Sequence, residues 1–307
     1  MSTDRSDPTL EYTLPFQLTK KIHRKVPDIL QPEREENNQR GKIVVITGGG
    51  TGIGAATAAV WTRAGAAGVV IAGRRKEKLD ETVHALQKLN KGTTKILAIP
   101  TDLKVEGDAT NLFQQVNKAF GRPADVVIAN AGALSDIKLL AEDTIANWWN
   151  IYEINVLGLH NTVAAWIKSQ PDPKNPVGTV IDVNSCLAGK IMPGNSAYST
   201  SKLATHRYME FLDAEYPGIR SFTLLPGVVA TDINVGTAFV VYARDEAEQT
   251  GALALYLASS RADYLKGSLT SVNWDLEEME EHKEDIENGL LKLKLVPILP
   301  AAGGSGF

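Results

Sequence analysis

Two side chains four residues apart carry the clearest chemical suggestion in this chain. Tyr198 and Lys202 stand at i and i+4 of a helical stretch, so they share one helix face. A tyrosine hydroxyl ordinarily titrates near about 10. An ammonium beside it favours the phenolate and lowers that value toward the range of a working acid/base. Each unit of such a shift corresponds to about 1.4 kcal/mol of differential stabilisation. With 8 tyrosines and 20 lysines in 307 residues, chance alone supplies about half a Tyr-x-x-x-Lys pair, so the spacing by itself decides little. This is the only such pair, however, and its helix follows a strand that ends at Ser185. A hydroxyl there can hold a carbonyl or alcohol oxygen while Tyr198 exchanges its proton.

A second set of residues speaks of phosphate. Thr47, Gly48, Gly52, Ile53 and Gly54 form a T-G-x-x-x-G-I-G turn between an apolar strand, Ile43 to Ile46, and a helix opening near Ile53. Glycines without a Cβ let a phosphate approach the backbone and let the helix pack close to the strand. The free N–H groups at the helix start, with the helix dipole behind them, favour a pyrophosphate. The next strand, Gly68 to Ala72, ends in Gly73-Arg74-Arg75. A site for NAD usually has an acid there, against the ribose 2′-hydroxyl. Two guanidiniums instead suit a 2′-phosphate, which they grip by charged, forked hydrogen bonds. The expected cofactor is therefore NADP(H).

These residues need a scaffold, and the rest of the chain reads as one. From Gly41 onward, Val/Ile/Leu-rich strands alternate with helices. Further strands are expected at Thr94–Pro100, Asp125–Asn130, Gly178–Asn184, Arg220–Leu225 and Ser268–Asn273. Helices are expected from after Arg75 to Leu89, and over Glu106–Ala119, Asp143–Ser169, Ser196–Glu215 and Asp245–Ser259. Near-continuous apolar strands between helices predict an α/β fold, a doubly wound parallel β-sheet with helices on both faces. Ligands in such sheets sit beyond the carboxyl ends of the strands, where Ser185 and the glycine turn lie. Residues 1–40 read as a polar arm on the domain surface or partly disordered, with Lys20, Lys21, Arg24 and Lys25 in solvent. Residues 41–275 read as one domain and 276–307 as an acidic helical extension, with the run Glu277 to Glu287 as a solvated helix face.

Composition narrows the function classes. A net charge of −4 offers no basic footprint for nucleic acid or for an anionic membrane. No apolar run reaches the length of a membrane span, and no signal or transit character opens the sequence, so a cytoplasmic location is expected. The single cysteine, Cys186, excludes an intrachain disulfide and a cysteine-based metal cluster; no metal is expected. Cys186 adjoins Ser185 without a histidine near it in sequence, and reads as a pocket-wall residue rather than a nucleophile.

Over residues 41 to 273 the chain resembles the short-chain dehydrogenase/reductases in their ordinary single-domain form. The resemblance rests on the glycine turn, Asp102, Asn130-Ala131-Gly132, Asn155, Ser185, Tyr198-x-x-x-Lys202, and Pro226-Gly227 with Thr231. It implies a Rossmann fold and a catalytic tetrad of Asn155, Ser185, Tyr198 and Lys202. In that scheme Tyr198 is the acid/base and Ser185 orients the substrate oxygen. Lys202 binds the nicotinamide ribose, and Asn155 holds a water in the proton relay. Asp102 would contact the adenine, Asn130 and Gly132 would support the sheet beside the cofactor, and Pro226, Gly227 and Thr231 would grip the carboxamide. Two departures stand out. The last strand closes as Val272-Asn273-Trp274-Asp275 where the family often has V-D-G-G, and both termini carry extensions.

Pocket candidates are Leu134, Leu187, Met192, Val235, Phe239 and Val240, with Asn195 and Asn234 as polar points. A mostly apolar pocket with few polar anchors fits a medium-sized organic carbonyl or alcohol rather than a sugar phosphate. The expectation is an NADP(H)-dependent oxidoreductase interconverting a ketone and a secondary alcohol, assembled as a homodimer or homotetramer. Two alternatives stand beside it: non-redox chemistry on the same scaffold, and a dinucleotide-binding interaction protein without turnover.

Overall fold

The branched apolar runs become the seven strands of one parallel sheet. The computed structural model describes residues 7–231 and 237–294. The strands are β1 (Ile43–Thr47), β2 (Gly68–Gly73), β3 (Lys95–Pro100), β4 (Val126–Ala129), β5 (Gly178–Val183), β6 (Ile219–Leu225) and β7 (Ser268–Ser271). Their spatial order is β3-β2-β1-β4-β5-β6-β7. The order reverses at β1, and Ile46 pairs with Ile71 on one side and Ile128 on the other. This switch point is where an open parallel sheet leaves a crevice at its carboxyl edge.

Alternate residues of each strand serve opposite faces, and both faces are covered. Val44 and Ile46 point into one core layer with Trp61, Ile71, Leu255 and Tyr256. Ile43 and Val45 point into the other with Val70, Phe113, Val180 and Trp166. Helices α1 (Gly52–Arg63) and α7 (Glu248–Leu257) supply the first layer. The second takes α3 (Glu106–Phe120), α5 (Gly158–Lys168) and residues of α6 (Ser196–Glu215). Between them along the chain lie α2 (Lys76–Leu89) and α4 (Ile145–Tyr152). No helix among the described residues is long and apolar enough to cross a membrane.

The stretch expected as one helix over Asp143–Ser169 runs instead as α4, a π turn at Glu153–Leu157, and α5. The π turn has a visible cause. Asn155, at its centre, donates to Ala133 O at 3.1 Å and Ser201 Oγ at 2.9 Å, and accepts from Ala133 N at 2.8 Å. These bonds draw the side chain inward, to 3% exposure, and a widened turn is the usual backbone response at such a point.

The polar N-terminal arm is folded onto the domain. Leu10, Ile22 and Leu30 are buried. The residues that depart from the family's last-strand pattern hold it. His23 N donates to Asn273 O at 3.0 Å, and Asn273 Nδ2 donates to His23 O at 2.8 Å. Trp274 Nε1 donates to Phe16 O at 2.7 Å, and His23 Nε2 meets Asp275 Oδ2 at 2.8 Å. Arg24, expected in solvent with its basic neighbours, is instead mostly buried. Its Nε donates to Asp245 Oδ1 at 3.0 Å, and the Asp245 side chain is fully buried. At the other end, α8 (Leu276–Glu280) and α9 (Lys283–Glu287) bury Leu276, Met279 and Ile286 and leave most of the acids outside.

Removing one partner of a buried ion pair leaves the other charge uncompensated. Arg24→Ala is therefore expected to destabilise the fold by about 3 kcal/mol, and Arg24→Ala with Asp245→Asn to recover part of that loss. Thermal unfolding checks both. A single variant with the wild-type Tm would show that the pair contributes no stability.

Candidate active site

The turn after β1 is built from contacts that no larger residue allows. A Cβ on Gly54 would lie 2.3 Å from Gly48 O, and one on Gly48, at φ +66°, would lie 2.9 Å from Ala131 Cα. Beneath the turn, buried Thr47 Oγ1 accepts from Asn130 N and Ala131 N, each at 3.1 Å. Asn130 Nδ2 donates back to Thr47 O at 3.0 Å and Gly48 O at 3.3 Å. The ends of β1 and β4 are thereby locked together, and the first turn of α1 is presented to a cleft of about 300 Å³. Thr51 makes no side-chain capping bond to α1, which leaves its first N–H groups for a ligand.

Gly48, Gly52 and Ile53 line this cleft with Arg74 and Arg75. Both arginines are exposed, and Arg75 reaches Thr51 Oγ1 at 3.4 Å. Asp102 lines the wall after β3, its Oδ1 accepting from Lys104 N at 3.1 Å and its own N–H donating to Asp108 Oδ2 at 3.0 Å. Asn130, Gly132, Tyr198 and Lys202 line the same cleft, with Pro226 and Thr231. Thr231 Cγ2 lies 3.1 Å from where a Cβ on Gly52 would sit, so the loop after β6 crosses over the glycine turn. Gly227 faces away, toward Asp245, at φ +74°. Thr47, Gly54 and Asn155 stand behind the lining. Asn234 and Val235 lie outside the described residues. Met192 and Asn195 line a separate apolar groove of about 710 Å³ beside Leu140 and Leu203.

The four residues expected to act together are brought together. The Ser185 side chain stands beside the Tyr198 hydroxyl, close enough to favour its phenolate. Gly132 connects the other two: a Cβ there would be 3.4 Å from Asn155 Oδ1 and 3.7 Å from Lys202 Nζ. Lys202 is 5% exposed, and its ammonium donates to Val183 O at 2.8 Å. Burial pushes the Lys202 pKa down, opposed by the nearby Asp182 carboxylate. Burial likewise pushes the Tyr198 hydroxyl up to about 12, while the Ser185 side chain beside it pulls the other way. That direction is opposite to the one expected from a neighbouring lysine. Here desolvation of the phenolate is the largest cause, and the nearby Asp182 charge acts in the same direction.

The comparisons with known proteins agree with this arrangement. A family model described as short chain dehydrogenase matches residues 42–238. The chain belongs to the short-chain dehydrogenase family. Members of this family are oxidoreductases that act on CH–OH and C=O groups with nicotinamide nucleotides. The short chain dehydrogenase mpl6 of Monascus purpureus is 31% identical over 265 residues, spanning 84% of this chain and 90% of the relative. The crystal structure of a short-chain type dehydrogenase/reductase from Mycobacterium marinum matches with a TM-score of 0.70 at 25% identity, over 77% of this chain and 96% of that one. A short chain dehydrogenase from Burkholderia cenocepacia J2315, solved in complex with NADP, matches in fold with a TM-score of 0.68 at 23% identity, over 76% and 97%.

Sequence reasoning missed several residues that this short-chain dehydrogenase uses to set its site. Asn184 is buried; its Nδ2 donates to Asp182 Oδ2 at 2.7 Å, Thr205 Oγ1 at 2.9 Å and Lys202 O at 3.0 Å. Its Oδ1 accepts from Ser185 N at 2.8 Å. One amide thus fixes the end of β5 against the body of α6. Asp182, Asn184 and Ser201 had a weak signal: polar residues embedded in apolar strand and helix patterns, where burial demands a partner. Lys78 and Lys104, which line the cleft, had none beyond ordinary surface charge.

Proposed function

We propose that the chain is an NADP(H)-dependent oxidoreductase interconverting a ketone and a secondary alcohol on a medium-sized, largely apolar organic substrate. The observation that carries the reading is the placement of Tyr198 and buried Lys202 on the same cleft as Arg74 and Arg75, with the Ser185 side chain beside the Tyr198 hydroxyl. The residues present fit a dinucleotide. The Gly48–Gly54 turn is a cradle that a single Cβ would fill, and the uncapped start of α1 suits a pyrophosphate. The NADP in the Burkholderia cenocepacia neighbour supports a cofactor of this class.

When bound, the nicotinamide supplies or accepts the hydride. The protein's own groups handle the oxygen and its proton. Ser185 Oγ and Tyr198 Oη hold the substrate oxygen between them. A Tyr198 hydroxyl kept protonated by burial is in the form that donates to a carbonyl oxygen as charge develops there. Lys202 has ammonium protons beyond the one given to Val183 O, and these suit the ribose hydroxyls. Both amide protons of Asn155 are committed to Ala133 and Ser201, so a relay water near it would be held through the main chain. Pro226 and Thr231 would contact the carboxamide, and Asp102 the adenine, from their places on the cleft wall.

We further propose a homodimer or homotetramer. Ile151, Leu159 and Trp166 are consumed by the chain's own core, but Trp149 is 54% exposed and Phe211, on α6, 58%. Light scattering is expected to give a dimer or tetramer; a stable monomer at micromolar concentration would contradict this.

Tyr198→Phe removes only the hydroxyl. It is expected to lower turnover by about 10²-fold or more while leaving NADPH binding near wild type. A Phe variant with near-wild-type kcat would exclude Tyr198 as the acid/base. Arg74→Ala combined with Arg75→Ala is expected to weaken NADPH binding by about tenfold or more, roughly 1.4 kcal/mol, and leave NADH binding unchanged. The wild-type preference should shrink with added salt, because the pair is exposed. An unchanged NADPH/NADH affinity ratio in the double variant would remove these arginines from phosphate recognition.

A further inference from the structure

The matched family region starts at residue 42, so the arm before it has no assigned part in the reaction. Its first described stretch nevertheless lies against residues that adjoin Ser185. Phe16 packs on the loop after β5: a methyl group at Gly189 would sit 2.9 Å from Phe16 Cε1. Tyr12, Thr13 and Phe16 line a small cavity together with Cys186, Gly227 and Val228. Tyr12 also touches the segments that follow β5 and β6. On the β5 side, Lys190 Nζ stands 4.3 Å over its ring. On the β6 side, Phe239 and Tyr242 pack edge-on against it, with centroids 5.3 and 4.9 Å away. Glu11 reinforces the same bridge, 3.9 Å from Lys190 and close enough to the Tyr242 hydroxyl to push its pKa up.

The stretch is tied down on both sides of these contacts. Arg24 donates to Thr9 Oγ1 at 2.6 Å and to Tyr242 O at 3.2 Å, and Trp274 holds Phe16 O. Aromatic rings braced by an ion pair and by main-chain bonds from the far end of the sheet make a fixed surface rather than a loose flap.

We propose that Leu10–Phe16 of the N-terminal arm is a wall of the substrate site, with Tyr12 and Phe16 setting the size of the group that can lie against Ser185. The inference rests on the reading of Ser185 and Tyr198 given above. Its chemistry is that of the surface itself: two aromatic rings, one beside an ammonium, select a flat or apolar substituent on the carbonyl carbon. A large aliphatic or aromatic ketone would be gripped here, and a small one would be left loose.

Cys186, the single cysteine of the chain, reports on this wall without turnover. Burial pushes its thiol up to about 11, so it is expected to react slowly with a neutral aromatic disulfide reagent. Tyr12→Ala should raise that rate by about tenfold or more, and Tyr12→Phe, which keeps the ring, should not. Equal rates in wild type and Tyr12→Ala, with NADPH binding retained in both as evidence of folding, would overturn the placement of the wall. Size selection is read with NADPH and a methyl ketone series from butanone to acetonaphthone. Tyr12→Ala should change the ratio of kcat/KM between the largest and smallest ketone by about fivefold or more, mainly through KM, with Tyr12→Phe close to wild type. An unchanged ratio would overturn the role in specificity. If wild type reduces no ketone in the series, the proposed reaction fails and the role in size selection fails with it, while the thiol rates still decide whether the arm covers the site.

Discussion

A lysine ammonium held out of water is the constraint around which the carboxyl edge of this sheet is arranged. An unpaired buried charge is too costly to keep, and Lys202 is nearly inaccessible. Its compensation is supplied by three consecutive residues, Asp182, Val183 and Asn184. Val183 O, at the end of β5, accepts one proton, and Asp182, one residue earlier, supplies the opposite charge. Asn184 bonds Asp182 and the Lys202 carbonyl at once, so the carboxylate and the helix that bears the ammonium move as one body. Ser185 follows directly in the chain, and its N–H is held by the same asparagine. The Ser185–Tyr198 pair therefore inherits its placement from the need to satisfy a charge one helical turn away.

Most of the scaffold was legible because its causes are local. Both sheet faces are covered, so the strands read as continuous Val/Ile runs, and their observed limits fall within a few residues of those expected. The glycine turn was legible because its steric demand is written in the residues themselves. The π turn at Asn155 was not, since it depends on Ala133 and Ser201, which adjoin it only in the folded chain. Spacing likewise showed that Lys202 neighbours Tyr198 but not how deeply the ammonium is buried. Burial is a property of the whole packing, and it reverses the direction of the Tyr198 shift that a neighbouring charge alone would give.

The arm was the least legible element, for a related reason. Its residues have no sustained period and no amphipathic face, so nothing local marks it as ordered. Its order comes from partners about 250 residues away, at Asn273, Trp274 and Asp275. Those three residues stand where the family pattern is broken, and each now has a reason to be there. An asparagine exchanges two hydrogen bonds with His23, an indole holds the Phe16 carbonyl, and a buried carboxylate meets the His23 ring. A departure from a family pattern next to an extension of unknown role was thus a signal that the two belong together.

One carboxylate also links the arm to the cleft. Asp245 Oδ1 accepts from Arg24 and from Asn273, at 3.0 and 3.1 Å, while Oδ2 accepts from Val228 N at 2.6 Å. Asp245 N in turn donates to Val228 O at 3.1 Å. Burial alone pushes this carboxyl upward and would favour losing its charge, so the ionised form depends on these donors, the guanidinium among them. Val228 is two residues past Pro226 and three before Thr231, the residue that lies over Gly52. The path of the loop after β6 is therefore set by a buried anion whose positive partner comes from the arm. An extension outside the matched family region has become part of what positions the cleft, because a carboxylate buried this deeply needs a cation and the arm supplies one.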